Sequence, residues 1–345
     1  MAKPTVLVLY NLPLLPKGHP DSDQETTLSF VVTEVKNTLT QAGYSVGELA
    51  IGPEPTQLWA ELKQRRPGVV VNLFEGSLDQ PESESYVAGI LEWSGVPFTG
   101  SPAPALSLAR AKHTAKTLLR GADLPTADFF VVDALPAPKC SLAYPVIVKP
   151  ALQDGSVGMD HASVCVNARQ FRERVQYLLT TYGPPVIVEE YIDGREFNVA
   201  LVDLKDMREF LLSEIALPDA RPGVWPIITY TGKWEPARFE KDWAPWYPKD
   251  LARATVRRIE QFAWKAFRLL GCRDYGRVDF RMNSAGELFV IEVNPNPEVS
   301  EAAGFSNYLD ESLFSYDDFL VNLIENARAR QNAPRPTFAP RPHPR

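Results

Sequence analysis

The chain has 345 residues, enough for two or three packed units, and its 45% apolar and 23% charged content is ordinary for a water-soluble globular protein. A formal net charge of −7 argues against nonspecific nucleic-acid or membrane-surface binding, and no apolar run approaches the ~20 residues a membrane helix needs. Three scattered cysteines, Cys140, Cys165 and Cys272, lack zinc spacing and point to a reducing, cytoplasmic setting.

Thr5–Tyr10 reads as a buried parallel strand rather than a signal peptide, because Pro13 and Pro16 follow with no small-residue cleavage site. Leu28, Val31, Val32, Val35 and Leu39 recur at helical spacing behind the capping candidates Asp21, Ser22 and Asp23, and Gly43 closes that helix. Val69–Phe74 is a second buried strand, and Gly95–Phe98 opens a short one. Alternating strands and helices predict a doubly wound parallel sheet, here a first domain over residues 1–104.

Leu108, Ala111, Ala115, Leu118 and Leu119 line one face of a single predicted helix, stopped by Gly121. It carries Lys112 and, one turn on, Lys116, which reads as a surface residue. Strands over Tyr144–Lys149, Ala162–Val166 and Pro185–Glu190, with a helix through Phe171–Leu179, predict a small α+β unit over 105–190. Strands over Glu196–Leu204 and Glu209–Ala216, and helices over Ile259–Leu270 and Ser315–Ala329, predict a third unit over 191–330. Its stretch 217–248 is rich in proline and tryptophan and has no period, a length that inside a compact domain is usually functional. Residues 331–345, rich in proline and arginine, read as a disordered tail.

The most informative stretch is 271–300. Strands over Arg277–Arg281 and Leu288–Asn294, joined by a turn between Ala285 and Gly286, set Asp279 across from Glu292 and Arg277 across from Asn294. One face then collects Arg277, Asp279, Glu292 and Asn294, while Val278, Phe280, Ile291 and Val293 form an apolar face. Two carboxylates and an amide oxygen on neighbouring strands suit a hard cation such as Mg²⁺, which keeps room for phosphates. A solvated hairpin of Arg–Asp ion pairs is the alternative.

Arg277-Val-Asp-Phe280 followed by Ile291-Glu-Val-Asn-Pro295 resembles the C-terminal metal motif of ATP-grasp ligases, most of all the D-alanine–D-alanine ligase family. The resemblance runs from about residue 5 to residue 330. It implies an ATP-grasp fold, in which an α/β domain precedes two α+β domains that clamp ATP. In that family Asp279, Glu292 and Asn294 would bind two Mg²⁺ ions, with Mn²⁺ as an alternative, and Arg277 would steady the developing oxyanion.

Lys149 precedes the loop Gly155-Ser156-Val-Gly158, which by itself suits a hairpin and by resemblance covers phosphates, with Gly155 one residue later than the family's glycine. Lys112 is either a solvated helix lysine or the family's first ATP lysine, spaced correctly from Thr99-Gly-Ser101, with Ala111 where the family has Asp. Glu189 and Glu196 are a strand-edge charge cluster or, by resemblance, the adenine hinge and the ribose-binding acid. Lys233, in Tyr230-Thr-Gly-Lys-Trp234, is a loop lysine or the lysine of a lid that closes over the γ-phosphate. Glu25 is a first-turn acid or the residue that holds the amino group of the first substrate. Around that pocket the chain departs from the family, with Tyr10-Asn-Leu-Pro13 in place of a Gly-Gly loop and Asn72-Leu-Phe-Glu-Gly76 in place of Leu-His-Gly. Glu84 and Tyr86 are further candidates to line it.

After Asn294 the family continues Thr-Ser-Pro-Gly-Met-Thr-Ser, whereas this chain has Pro-Asn-Pro-Glu-Val-Ser-Glu301. Glu298 stands where the family's Gly offers an N–H to the reacting carbonyl, and Glu301 where its Ser holds the acceptor carboxylate. A carboxylate there disfavours a free acceptor carboxylate unless the loop bends and Ser300 takes the contact. The implied activity is ATP-dependent carboxylate–amine ligation with an altered acceptor, on small amino-acid-like or peptide-like substrates, in a protein that forms homodimers by family habit. The alternatives are an ATP-grasp kinase, a ligase for non-amino-acid substrates, or an ATP-binding regulatory module without turnover.

Overall fold

The structure, a computed structural model, describes residues 3–12, 22–52, 54–76, 80–217, 219–234, 247–300 and 314–331, with the side chains of 22–27 and 234 outside that description. Strands β1 (Thr5–Asn11), β2 (Ser45–Ile51) and β3 (Val69–Asn72) form a parallel sheet in the order β2-β1-β3, extended by a parallel bridge from Val70 to Phe98. Val6 and Val8 feed one core and Leu7 and Leu9 another, as a parallel sheet buried on both faces requires. Helices α2 (Thr56–Arg65), α3 (Ser83–Ser94) and α4 (Ala103–Arg110) pack on the Leu7 side through Leu58, Leu62, Val87, Leu91 and Leu106. The Val6 side is covered by α1 (Ser22–Gln41), whose Val31, Val32, Val35 and Leu39 face inward as their spacing predicts.

Residues Leu108–Leu119 are two helices, not one. After α4 the backbone leaves helical geometry at Ala111 (φ −77°, ψ 82°), and α5 (Lys112–Gly121) starts afresh. The Lys112 N–H donates to the Ala151 carbonyl at 3.0 Å instead of to its own helix. Strands β4 (Phe129–Val132), β5 (Val146–Pro150), β6 (Val164–Cys165) and β7 (Val186–Glu190) form an antiparallel sheet in the order β4-β7-β5-β6, covered by α6 (Ala168–Tyr182). The strand expected at Ala162–Val166 shrinks to β6, because a 3-10 turn capped by Asp160 occupies His161–Ser163.

A second antiparallel sheet, β11-β10-β8-β9, contains β8 (Gly194–Leu204), β9 (Met207–Ile215), β10 (Asp274–Asn283) and β11 (Leu288–Asn294). Helix α8 (Arg253–Leu269) lays Ile259, Ala263, Ala266 and Phe267 on one of its faces. The opposite face, through Ala200, Val202, Leu211 and Tyr275, joins the core of the first sheet. Helix α9 (Tyr316–Gln331) returns to that shared core with Phe319, Leu320, Leu323 and Ile324. Among its described residues the stretch 217–234 carries an isolated bridge between Arg221 and Val224 and the short helix α7 (Tyr230–Trp234). Residues 235–246 of the aperiodic stretch and the tail from 332 on lie outside the described residues.

Candidate active site

The hairpin β10–β11 has Arg277 opposite Asn294 and Asp279 opposite Glu292, the register its turn predicts. A β-bulge between Asp279 and Phe280 then sets Phe280 opposite Val290. The extra residue turns Val290 into the core and leaves Ile291 half-buried, so Ile291 does not share the apolar face with Val278, Phe280 and Val293.

On the polar face Arg277 grips Asp279 with both Nε (2.7 Å) and Nη2 (2.9 Å), and Asn198 Nδ2 of β8 donates to Asp279 Oδ1 at 2.9 Å. Burial opposes the Arg277 charge, but Asp279, with Glu292 and Glu196 behind it, raises its pKa above the ordinary guanidinium value. Asn294 Oδ1 accepts the Asn296 N–H at 2.9 Å, which starts the loop towards Ser300.

Because α5 begins at Lys112, this buried side chain points into the same face. Its Nζ donates to Gln153 O (2.6 Å) and Asp154 Oδ1 (2.8 Å) and pairs with Glu292 Oε1 (3.1 Å). Burial works against its charge, yet Asp154 and Glu292 together raise its pKa. The protein around Asp154 disfavours that carboxylate's charge, but Lys112 and Arg110 outweigh this and hold its carboxyl at about 2. Arg110 pairs with Asp154 at 3.0 Å and also with buried Glu84, which accepts Asn296 Nδ2 at 2.9 Å. Burial still raises the Glu84 pKa over the pull of Arg110. Tyr86, by contrast, is 61% exposed on α3.

Lys149 is the penultimate residue of β5, with its ammonium 2.8 Å from Glu189 Oε1. The other Glu189 oxygen is 2.9 Å from Lys116 Nζ, which also donates to Thr126 Oγ1 at 2.7 Å. Lys116 is therefore no surface residue: it is 1% exposed, one of two ammonium groups sharing one buried carboxylate. The sequence signal was its place between Ala115 and Leu119, both core positions of α5. Beyond Lys149, Gly155, Ser156 and Gly158 all take positive φ, 63°, 63° and 72°. A side chain at Gly158 would lie 2.9 Å from Pro150, so only glycine lets the loop fold back on β5.

Glu196, near the start of β8, pairs with Arg281 Nη2 at 2.8 Å, a partner the sequence reading did not single out. Lys233 on α7 is solvent-accessible, and the protein around its ammonium and the nearby Arg277 lower its pKa, with Glu75, Glu292 and Asp279 also in electrostatic reach. Ser300 is buried and donates to Glu298 Oε1 at 2.6 Å. Glu301 and the side chain of Glu25 lie outside the described residues.

Among the described residues no three His, Cys, Asp or Glu side chains form a ready-made metal cage. Two carboxylates and an amide oxygen beside buried lysines fit a Mg²⁺-type ion that completes its shell with phosphate oxygens.

Residues 118–325 match the family model described as D-ala D-ala ligase C-terminus. The chain belongs to the D-alanine–D-alanine ligase family. An uncharacterised protein of Sinorhizobium fredii, y4sG, is 30% identical over 77% of this chain and 76% of its own length. The D-alanine–D-alanine ligase of Cupriavidus pinatubonensis is 31% identical over 69% of this chain and 70% of its own. A crystal structure of the Bacillus anthracis D-alanine–D-alanine ligase complexed with ATP superposes with a TM-score of 0.72 at 17% identity, covering 95% of this chain and 98% of that one. The fold is thus ATP-grasp, and the family makes this chain a D-alanine–D-alanine ligase-like, ATP-dependent C–N ligase that uses a divalent metal and small-molecule substrates. Among the described residues no helix is long and apolar enough to cross a membrane.

Proposed function

We propose that this ligase joins a carboxylate to an amine whose acceptor carries no free carboxylate beside the reacting nitrogen. Residues 1–104, 105–190 and 191–330 act as three domains, with ATP between the second and third. Lys112 and Lys149 receive the phosphates under the Gly155–Gly158 loop, Ser156 included, and Glu189 and Glu196 serve the adenine hinge and ribose. Two Mg²⁺ ions, with Mn²⁺ as a substitute, are held by Asp279, Glu292 and Asn294. When bound they neutralise phosphate charge.

What supports this assignment is the pairing of Lys112 with Glu292: the phosphate-binding ammonium and the metal-binding carboxylate neutralise each other until nucleotide separates them. The substrate carboxylate attacks the γ-phosphorus and the bond to the β,γ-bridging oxygen breaks, leaving ADP and an acyl phosphate. The amine then attacks the acyl carbon, phosphate leaves with the C–O electron pair, and the nitrogen loses a proton to solvent. Arg277 meets the oxyanion of that second step. Lys233 steadies the γ-phosphate from the lid, and Glu25 holds the amino group of the first substrate.

The acceptor reading draws on the loop after β11. The Ser300 hydroxyl is committed to Glu298, so it does not offer its proton to a substrate carboxylate. In sequence, Glu301 stands where D-alanine–D-alanine ligases have the Ser that holds the acceptor carboxylate, and Glu298 where their Gly offers an N–H to the reacting carbonyl, so this loop brings negative charge to the acceptor side. Two carboxylates ~4 Å apart repel by about 4 kcal/mol at an effective dielectric near 20. An amine, a diamine or a peptide-like amine fits better. The test is ADP release with D-alanine alone against D-alanine plus amines lacking a nearby carboxylate. Faster turnover with those amines is expected; efficient D-alanyl-D-alanine formation with no such preference contradicts the reading.

A further inference from the structure

Arg281 is 5% exposed and sits two residues beyond Asp279 on the polar face of β10. Its guanidinium serves three segments at once. Nε donates to Glu196 Oε2 at 2.9 Å, Nη1 to the Ile192 carbonyl at 3.0 Å, and Nη2 to the Pro226 carbonyl at 2.6 Å. Its guanidinium carbon, Cζ, also lies 5.6 Å from the ring centroid of Tyr191. Ile192 lies three residues beyond Glu189, and Pro226 lies within the aperiodic stretch that the proposed function reads as a lid. The lid is docked there by further contacts: Trp225 packs edge-on against Tyr191 with centroids 5.2 Å apart, and the Trp225 N–H donates to His161 Nδ1 at 3.1 Å. The Tyr230 N–H bonds the Met159 carbonyl at 2.9 Å, and Ile227 is buried against Val164 and Tyr191.

We infer that Arg281 is a positioning residue that couples ribose recognition to lid docking: one rigid fork orients the Glu196 carboxylate and anchors the lid root at Pro226. A planar guanidinium with five fixed donors can span a carboxylate and two carbonyls, whereas a lysine ammonium concentrates its donors at one point. The inference rests on Glu196 being the ribose-binding acid, so the experiment tests both.

The full-length protein, with Mg²⁺, is titrated calorimetrically with ADP and with 2′,3′-dideoxy-ADP, for the wild type and for E196Q, R281M and R281K. Amide hydrogen exchange is followed across 219–234. Loss of charge-assisted hydrogen bonds to the ribose hydroxyls makes the wild type prefer ADP by about tenfold or more. E196Q and R281M bring that preference to within about twofold, and R281M speeds exchange at Trp225 and Tyr230. R281K keeps a charge beside Glu196 but loses the fork, so it retains part of the preference and still exchanges faster. A purely structural role for Arg281 would weaken both nucleotides equally and leave their ratio unmoved. If E196Q keeps the wild-type ratio, the ribose reading of Glu196 fails and the coupling with it. If E196Q loses the ratio while the Arg281 variants keep it, the role of Arg281 is overturned and that of Glu196 stands. Should R281M not fold, R281K decides alone, and wild-type ratio with wild-type exchange refutes the inference.

Discussion

At the scale of single residues, the site is held by cations and carboxylates that occupy one another. Glu292 is one of two carboxylates around Lys112, and Asp154 remains when Glu292 is neutralised. Glu292→Gln should therefore abolish ATP turnover while leaving the thermal midpoint nearly unchanged, and normal turnover in that variant would refute its role. Lys116 supports a pH prediction. Burial opposes the Glu189 charge, but Lys116 and Lys149 lower its pKa below the ordinary 4.5. A depressed carboxyl contributes stability that is present above its unfolded value and lost as pH falls through its folded value. Lys116→Met removes one of the two counter-charges. Acid unfolding should then begin at higher pH, and neutral-pH stability should drop by roughly 3 kcal/mol. An acid limb identical to wild type, in denaturant titrations at several pH values, would contradict this. The paired residues of the hairpin were legible because strand alternation and one turn fix them. The buried role of Lys116 was signalled only by its core neighbours Ala115 and Leu119, because a lysine on a helix is usually solvated and its meeting with Glu189 is made in three dimensions.

At the scale of elements, the details that aim the site are backbone irregularities. The alternation of apolar residues gave the strands, but the bulge beside Asp279 and the helix break at Ala111 depend on tertiary hydrogen bonds such as that from the Lys112 N–H to Ala151. Helix α3 carries buried Glu84 and Ser85 along its inner face, so its pattern was blurred in sequence. Gly276 adjoins Arg277, and a Cβ there would sit 2.8 Å from the Phe267 ring and 3.1 Å from the Asn294 carbonyl. Gly276→Ala must push β10 away from α8 or β11, at a cost of roughly 1–3 kcal/mol. An unaltered thermal midpoint would show that the contact relaxes freely. The stretch after β9 is docked through Trp225, Ile227 and Tyr230, and Lys233 lies within electrostatic reach of Arg277, Glu292 and Asp279. Limited proteolysis within 217–248 should slow when a nonhydrolysable ATP analogue and Mg²⁺ are added. Unchanged cleavage at saturating nucleotide would argue against a lid.

At the scale of the whole molecule, the first and third sheets share one core. Val6, Val8 and Val71 of the first sheet, Ala200 and Val202 of the third, and Phe319 and Leu320 of α9 belong to a single cluster. Arg330 locks it, binding buried Asp274, whose Oδ2 also accepts the Gly100 N–H at 2.9 Å. The sheet of β4 to β7 keeps its own core with α6. The fold class was legible because the order of strands and helices is written locally; the return of α9 to the first sheet was not, because its apolar face names no partner. The most direct test of a carboxylate–amine ligase is ADP release by the full-length protein with ATP and Mg²⁺, each substrate omitted in turn. Full turnover is predicted only with both a carboxylate and an amine, with one amide and one phosphate formed per ADP. A stable phosphorylated product without amine, or nucleotide binding with no turnover on any pair, would contradict the account.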